Sequence, residues 1–196
     1  MSMEDDFHNY RKMIDEALGT VDTGWLSFMK QEMFRLAKAG YPLLVCGNGG
    51  SAAIAEHLSC DHTKGICTDT NLSPFVIPLG SNVSLTTAIA NDIDYDQIFS
   101  KQIEWFGQSG AGLLVISSSG NSPNIINALR AAKKQNMTTM ALVGFSGGLA
   151  KEIAEICVHV NYNNYGVVED CHQIIMHSIA QHIRTTNAID PKSLKL

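Results

Sequence analysis

Five short apolar runs, each separated from the next by a helical pattern, constrain this chain more than any other feature. They are Pro42–Cys46, Phe75–Leu79, Gly112–Ile116, Thr138–Val143 and Cys157–Val160. Each is apolar along its length rather than alternating, so both faces of the strand must be covered. Strands of that kind, joined through helices, build a parallel sheet inside a three-layer α/β/α sandwich. The chain has 196 residues, short of the roughly 250 that an eight-unit barrel needs. An open, doubly wound, five-stranded sheet of the flavodoxin-like kind is therefore expected.

Two helices precede the sheet. The second runs from Thr23 to Ala39, with Trp25, Leu26, Met29, Met33, Leu36 and Ala37 at helical spacing and Gly40 as its stop. A long helix from Val168 to Thr185 follows the last strand. No repeat, low-complexity tract or linker interrupts the pattern. The expectation is one domain over 1–196, with helices for assembly in 1–40 and the α/β core in 41–196.

Composition excludes several classes of function. The net charge is −5, with no basic block, which argues against a nucleic-acid surface. No apolar run approaches the ~20 residues that span a bilayer, and the acidic, polar stretch from Met1 to His8 is not expected to act as a secretory leader. The cysteines are Cys46, Cys60, Cys67, Cys157 and Cys171, an odd set without a C-x-x-C pair, and most are expected to be buried or half-buried thiols in a reducing, cytoplasmic compartment.

In open α/β sheets, ligands bind beyond the carboxyl ends of the strands, where the winding direction reverses. Two loops stand at such places. The first is Gly47-Asn48-Gly49-Gly50-Ser51, leading into a helix over Ala52–Asp61 that Ser51 can cap. It lacks both the Gly-Lys-Ser/Thr ending of a P-loop and the G-x-G-x-x-G spacing, so a nucleotide is disfavoured. The second is Ser117-Ser118-Ser119-Gly120-Asn121-Ser122-Pro123, with Ser122 expected as N-cap and Pro123 at the first helical position. Four hydroxyls and several amides at a helix N-terminus form an environment that a phosphate favours. Asn91-Asp92, after the small-residue stretch Thr86–Ala90, reads by itself as a helix end.

Taken in order, Gly47–Ser51, Asn91-Asp92 and Ser117–Ser122 resemble the sugar isomerase (SIS) domain family, in particular its phosphoheptose isomerase branch, over nearly the whole chain. The resemblance implies that Ser117, Ser118, Ser119 and Ser122 grip a phosphate. It implies that Asn48, Gly49, Gly50, Ser51, Asn91 and Asp92 line a sugar site, and that the protein is a homotetramer. Metal-binding members carry His with Glu four residues on, and Gln with His eight residues on. Here those places hold His57 with Asp61 and Glu169 with His177, two departures that mark a divergent member, and the family's basic residue is shifted to Lys64.

His57 and Asp61 lie at i and i+4, on one helix face. Glu169 and His177 are again an acid and an imidazole, although eight residues of helix rise ~12 Å. One ion could therefore hold both only if Glu169 stood at or before the helix start, and Glu169 with His172 is a rival pairing. His8, His62, His159 and His182 read as structural or exposed, and Tyr162 and Tyr165 as packing residues.

The implied activity is the interconversion of sedoheptulose 7-phosphate and D-glycero-D-manno-heptose 7-phosphate, a step toward surface polysaccharide. One zinc per chain would sit on His57, Asp61, Glu169 and His177, with Asp61 and His177 moving protons and Glu169 also facing substrate. The alternatives are an isomerase for another phosphosugar, or a regulatory phosphosugar sensor. A sensor would need the serine loop but not the acid–imidazole set.

Overall fold

The computed structural model describes residues 2–190; residue 1 and residues 191–196 of the expected 1–196 domain lie outside the described residues. Helix α1 (Met3–Leu18) and helix α2 (Thr23–Ala39) come first, then strand β1 (Pro42–Gly47) and helix α3 (Gly50–Cys60). Strand β2 (Phe75–Pro78), helix α4 (Val83–Asp92), helix α5 (Ser100–Phe106) and strand β3 (Gly112–Ser117) follow. The chain continues with helix α6 (Pro123–Lys134), strand β4 (Thr138–Val143), helix α7 (Gly148–Ile153), strand β5 (Ile156–His159) and helix α8 (Tyr165–Thr186). All five expected strands form, each within one residue of its expected bounds.

The sheet is wholly parallel, in the order β2-β1-β3-β4-β5. The winding reverses between β1 and β3, so the loops after these two strands flank the switch point. Within each strand, alternate residues feed opposite cores. Leu43, Val45, Leu114, Ile116, Met140 and Leu142 pack with α1, α2, α3 and α8. Leu44, Cys46, Leu113, Val115, Ala141 and Val143 pack with α4, α5, α6 and α7. The apolar runs of the central strands β1, β3 and β4 are thus explained by two covered faces, and each fully buried aliphatic side chain contributes about 1.5–3 kcal/mol.

The helix ends differ in part from expectation. Gly40 stops α2 in the left-handed region, and Pro123 opens α6 behind Ser122 as expected. Ser51 does not cap α3. Gly49, at φ +55°, turns the chain two residues earlier and leaves Ser51 buried inside the first turn. Positive φ costs glycine almost nothing, so it overrides the usual preference for serine at the cap. After α3 the chain makes one π-helical turn, Asp61–Gly65.

Helix α1 is tied to α8 by Tyr10, whose hydroxyl donates to Asp170 at 2.8 Å. Burial and that carboxylate raise the Tyr10 pKa to about 12. Arg184 of α8 binds Asp69 through Nε at 2.9 Å, fastening the segment after the π turn. No described helix is long and apolar enough to cross a membrane.

Candidate active site

The serine loop closes a small cavity at the switch point. Its volume is about 170 Å³, and its lining includes Asn48 and Ser51 from the first loop, Ser117, Ser118, Ser119 and Ser122 from the second, and Tyr165 and Glu169 from α8. The loop is held by its own backbone. Gly120 N donates to Ser117 Oγ at 3.1 Å, and Asn121 N donates to Ser119 Oγ at 3.3 Å. A hydroxyl that accepts from the backbone keeps its own hydrogen free to donate outward. Ser118 Oγ is buried without a partner among the described residues. The cavity thus offers hydroxyl donors at the N-terminus of α6, the chemistry of an anion site.

The first loop is locked to the second by a reciprocal amide pair. Asn48 Nδ2 donates to Asn124 Oδ1, and Asn124 Nδ2 donates to Asn48 Oδ1, both at 2.9 Å. Asn124 is 1% exposed, and sequence reasoning missed it. Its signal was a polar residue directly after the helix-opening proline. Tyr95, in the turn after α4, also reaches Asn48 Oδ1, at 3.3 Å. Asn91 and Asp92 end α4 in solvent, bonded to each other at 2.7 Å, and do not line the cavity.

Tyr165 does not pack into the core as expected. It lies against Phe145, with ring centroids 4.7 Å apart, is 63% exposed and borders the cavity. Tyr162 does pack against the core.

A second group forms where the far end of α3 meets α8. His177 Nε2 lies 2.9 Å from Asp61 Oδ2, His57 Nε2 lies 3.4 Å from the same oxygen, and the two Nε2 atoms are 3.5 Å apart. A tetrahedral zinc ion with bonds of about 2.0–2.1 Å spaces its ligand atoms about 3.3 Å apart. The three side chains therefore fit the edges of one such tetrahedron, and their ligand atoms all lie within 4.8 Å of one another. All three are partly exposed, so a fourth position can open to water or substrate.

Glu169 is not in that group. The expectation that it precedes the helix fails, because α8 starts at Tyr165 and runs regularly through both Glu169 and His177. Two turns separate them, and the ~12 Å rise carries Glu169 to the other end of the site. There its carboxyl group covers Gly50, leaving no room for a Cβ at that position. The polar residue that meets the imidazoles is Gln173, whose amide nitrogen lies 2.6 Å from His57 Nδ1 and 3.5 Å from His177 Nε2. Glu169, Gln173 and His177 are spaced by four along α8 and form one stripe facing α3.

The remaining histidines stand apart. His62 is buried, which lowers its pKa to about 4. His172 is fully buried without a hydrogen bond of normal geometry among the described residues. Burial lowers its pKa to about 4 as well, an effect that the Val143 backbone opposes only partly. It is a core residue of α8 rather than a partner of Glu169. His159 bonds the Phe145 carbonyl at 2.8 Å.

Comparison with known proteins identifies the family. The SIS domain family profile matches residues 13–144. The phosphoheptose isomerase of Nitratidesulfovibrio vulgaris is 41% identical over 142 residues, 72% of this chain and 67% of that protein. The phosphoheptose isomerase of Chlorobaculum parvum is 34% identical over 178 residues, covering 90% of this chain and 85% of that one. Among solved structures, a phosphoheptose isomerase from Neisseria gonorrhoeae superposes with a TM-score of 0.83 at 29% identity, over 93% of this chain and 96% of that chain.

Proposed function

The chain belongs to the SIS domain family, in its phosphoheptose isomerase branch, and from that premise we propose that it interconverts a ketose and an aldose phosphate, with sedoheptulose 7-phosphate as the leading substrate. The observation that carries this reading is the shared course of α3 and α8. Both helices run from the serine cavity, at Gly50 and Glu169, to the acid–imidazole group, at Asp61 and His177. Along α8, from Glu169 to His177, that course is about 12 Å. It suits a sugar whose phosphate lies far from its reacting carbons better than it suits a triose.

In this reading Ser117, Ser118, Ser119 and Ser122 hold the phosphate. Asn48, Gly49, Gly50 and Ser51 line the sugar, and Glu169 accepts a sugar hydroxyl. Asn91 and Asp92, just before Tyr95, contribute from the rim. His57, Asp61 and His177 fit a divalent ion, zinc by their nitrogen and oxygen donors. When bound, such an ion supplies Lewis acidity that polarises the substrate carbonyl.

Proton movement falls to Asp61 and His177, in hydrogen-bond contact at 2.9 Å. One removes a proton from C1 of the ketose. An enediol forms as the C2 oxygen gains a proton. Loss of the O1 proton and delivery of a proton to C2 then give the aldose. A carboxylate shared with a cation would be a poorer base than a free one.

Assembly as a homotetramer fits the apolar surface left on the first two helices, where Met3, Phe7, Trp25 and Phe28 are exposed. The five free cysteines suit a cytoplasmic protein. Product analysis with C5, C6 and C7 ketose phosphates tests the activity. Aldose from the C7 sugar supports this reading. No product from any of them, with zinc-loaded protein, refutes it.

A further inference from the structure

We infer that Gln173 is the positioning residue of the metal centre, holding His57 through Nδ1 so that Nε2 faces the ion with a free lone pair. This rests on the reading of His57, Asp61 and His177 as metal ligands.

A neutral imidazole carries one proton, and the nitrogen that binds a cation must be the bare one. His57 turns Nε2 inward, 3.4 Å from Asp61 Oδ2 and 3.5 Å from His177 Nε2. With Nε2 given to the ion, its proton must sit on Nδ1, which has the Gln173 amide 2.6 Å away. At that distance the amide has to accept. A half-turn about the last side-chain bond brings Oε1 to this place, and the two ends of an amide are interchangeable in shape.

His57 needs such a partner. Its side chain is 49% exposed, so packing alone does not fix the ring. Gln173 stands one turn before His177 on α8, so a single helix face supplies one ligand and the group that orients another. Glu169, one turn earlier again, is committed to the space over Gly50. The amide that serves the metal in this chain is thus at 173, and position 169 is left to the substrate.

The test compares Gln173→Leu, Gln173→Glu and Glu169→Gln with the wild type. Zinc affinity is read by chelator competition. The His57 tautomer is read by nitrogen NMR of the metal-free protein. Visible absorption of the cobalt-loaded protein reads the coordination shell. Gln173→Leu is expected to weaken zinc binding about 10–100-fold, the usual cost of losing such a partner, and to shift His57 from the Nδ1–H form to a mixture. Gln173→Glu, whose carboxylate accepts the same proton, should keep affinity within a few-fold. Glu169→Gln should leave zinc affinity unchanged. At saturation, cobalt spectra of the wild type and Gln173→Leu should share one shape. Unchanged zinc affinity in Gln173→Leu would overturn the inference, and so would an altered cobalt spectrum, which would make Gln173 a ligand. A wild type that binds no zinc would sink the metal reading itself, a different outcome from a wild type that binds zinc regardless of residue 173.

Discussion

The two ends of the site are built by opposite means. The serine cavity is made of backbone and hydroxyls from neighbouring residues on one loop, shaped by its own short hydrogen bonds and set at the start of α6. The acid–imidazole group is made of side chains 116 to 120 residues apart, brought together only because α3 and α8 pack side by side. The first needs little beyond a correct turn. The second needs the tertiary fold, and it carries the charge and the proton chemistry. The two ends should therefore fail separately when mutated.

The sharpest way to break that separation is His177→Ala. Removing an acid–base group typically costs about 10²–10⁴-fold in rate, and here a metal ligand goes with it. Turnover and zinc retention should both fall, while calorimetry shows phosphosugar affinity within a few-fold of wild type. Full activity with zinc retained would mean that the two imidazoles are no site at all. The converse change, Ser117→Ala with Ser119→Ala, removes two donors to a charged group at roughly 1.5–3 kcal/mol each. Phosphosugar Kd should rise by about 10²-fold or more, with zinc content unchanged. Unaltered affinity would exclude the loop as the phosphate grip.

How much of each end could be read from the sequence follows the same division. Ser117–Ser122 and Asn48–Ser51 are contiguous; turn chemistry pointed to the serine loop, and the family resemblance to Asn48–Ser51. His57 and Asp61 share a helix face and were also legible. Glu169 was assigned to the metal through a spacing of eight, yet in a regular helix that spacing separates two groups by ~12 Å. Gln173 and Asn124 went unnoticed because each acts through a partner on another element, His57 and Asn48. The fold itself was easier, since uninterrupted apolar strands leave few architectures open. Ser51 was misjudged as a cap because residues with positive φ, such as Gly49, leave no mark in a hydrophobic pattern.

A smaller effect tests the floor beneath both ends. His172 is buried and stays neutral, and desolvation by burial lowers its pKa to about 4 from an ordinary 6.5. The unfolded chain takes up that proton first as pH falls. Stability from this residue is therefore complete above about pH 6.5 and lost progressively down to about pH 4, on the order of 3 kcal/mol. Denaturant titrations at several pH values should show the slope, and His172→Phe should roughly halve it, because buried His62, with its pKa also lowered to about 4, contributes a slope of the same sign. An identical slope in the variant would place the proton uptake elsewhere. Smaller still is the expected effect of dilution. A tetramer joined through α1 and α2 should keep its mass by light scattering at micromolar concentration, and a monomer mass there would remove assembly from the account.

The central claim is that one site joins phosphate grip to proton transfer, and isotope exchange tests it most directly. Zinc-loaded protein is incubated with sedoheptulose 7-phosphate in heavy water, and the recovered sugars are examined by mass spectrometry and NMR. The account predicts aldose phosphate carrying solvent deuterium at C2, and recovered ketose that gains deuterium at C1. Neither signal should appear with His177→Ala. A phosphosugar that binds with measurable affinity, yet gives no aldose and exchanges no proton, would contradict it and leave the protein a binding module.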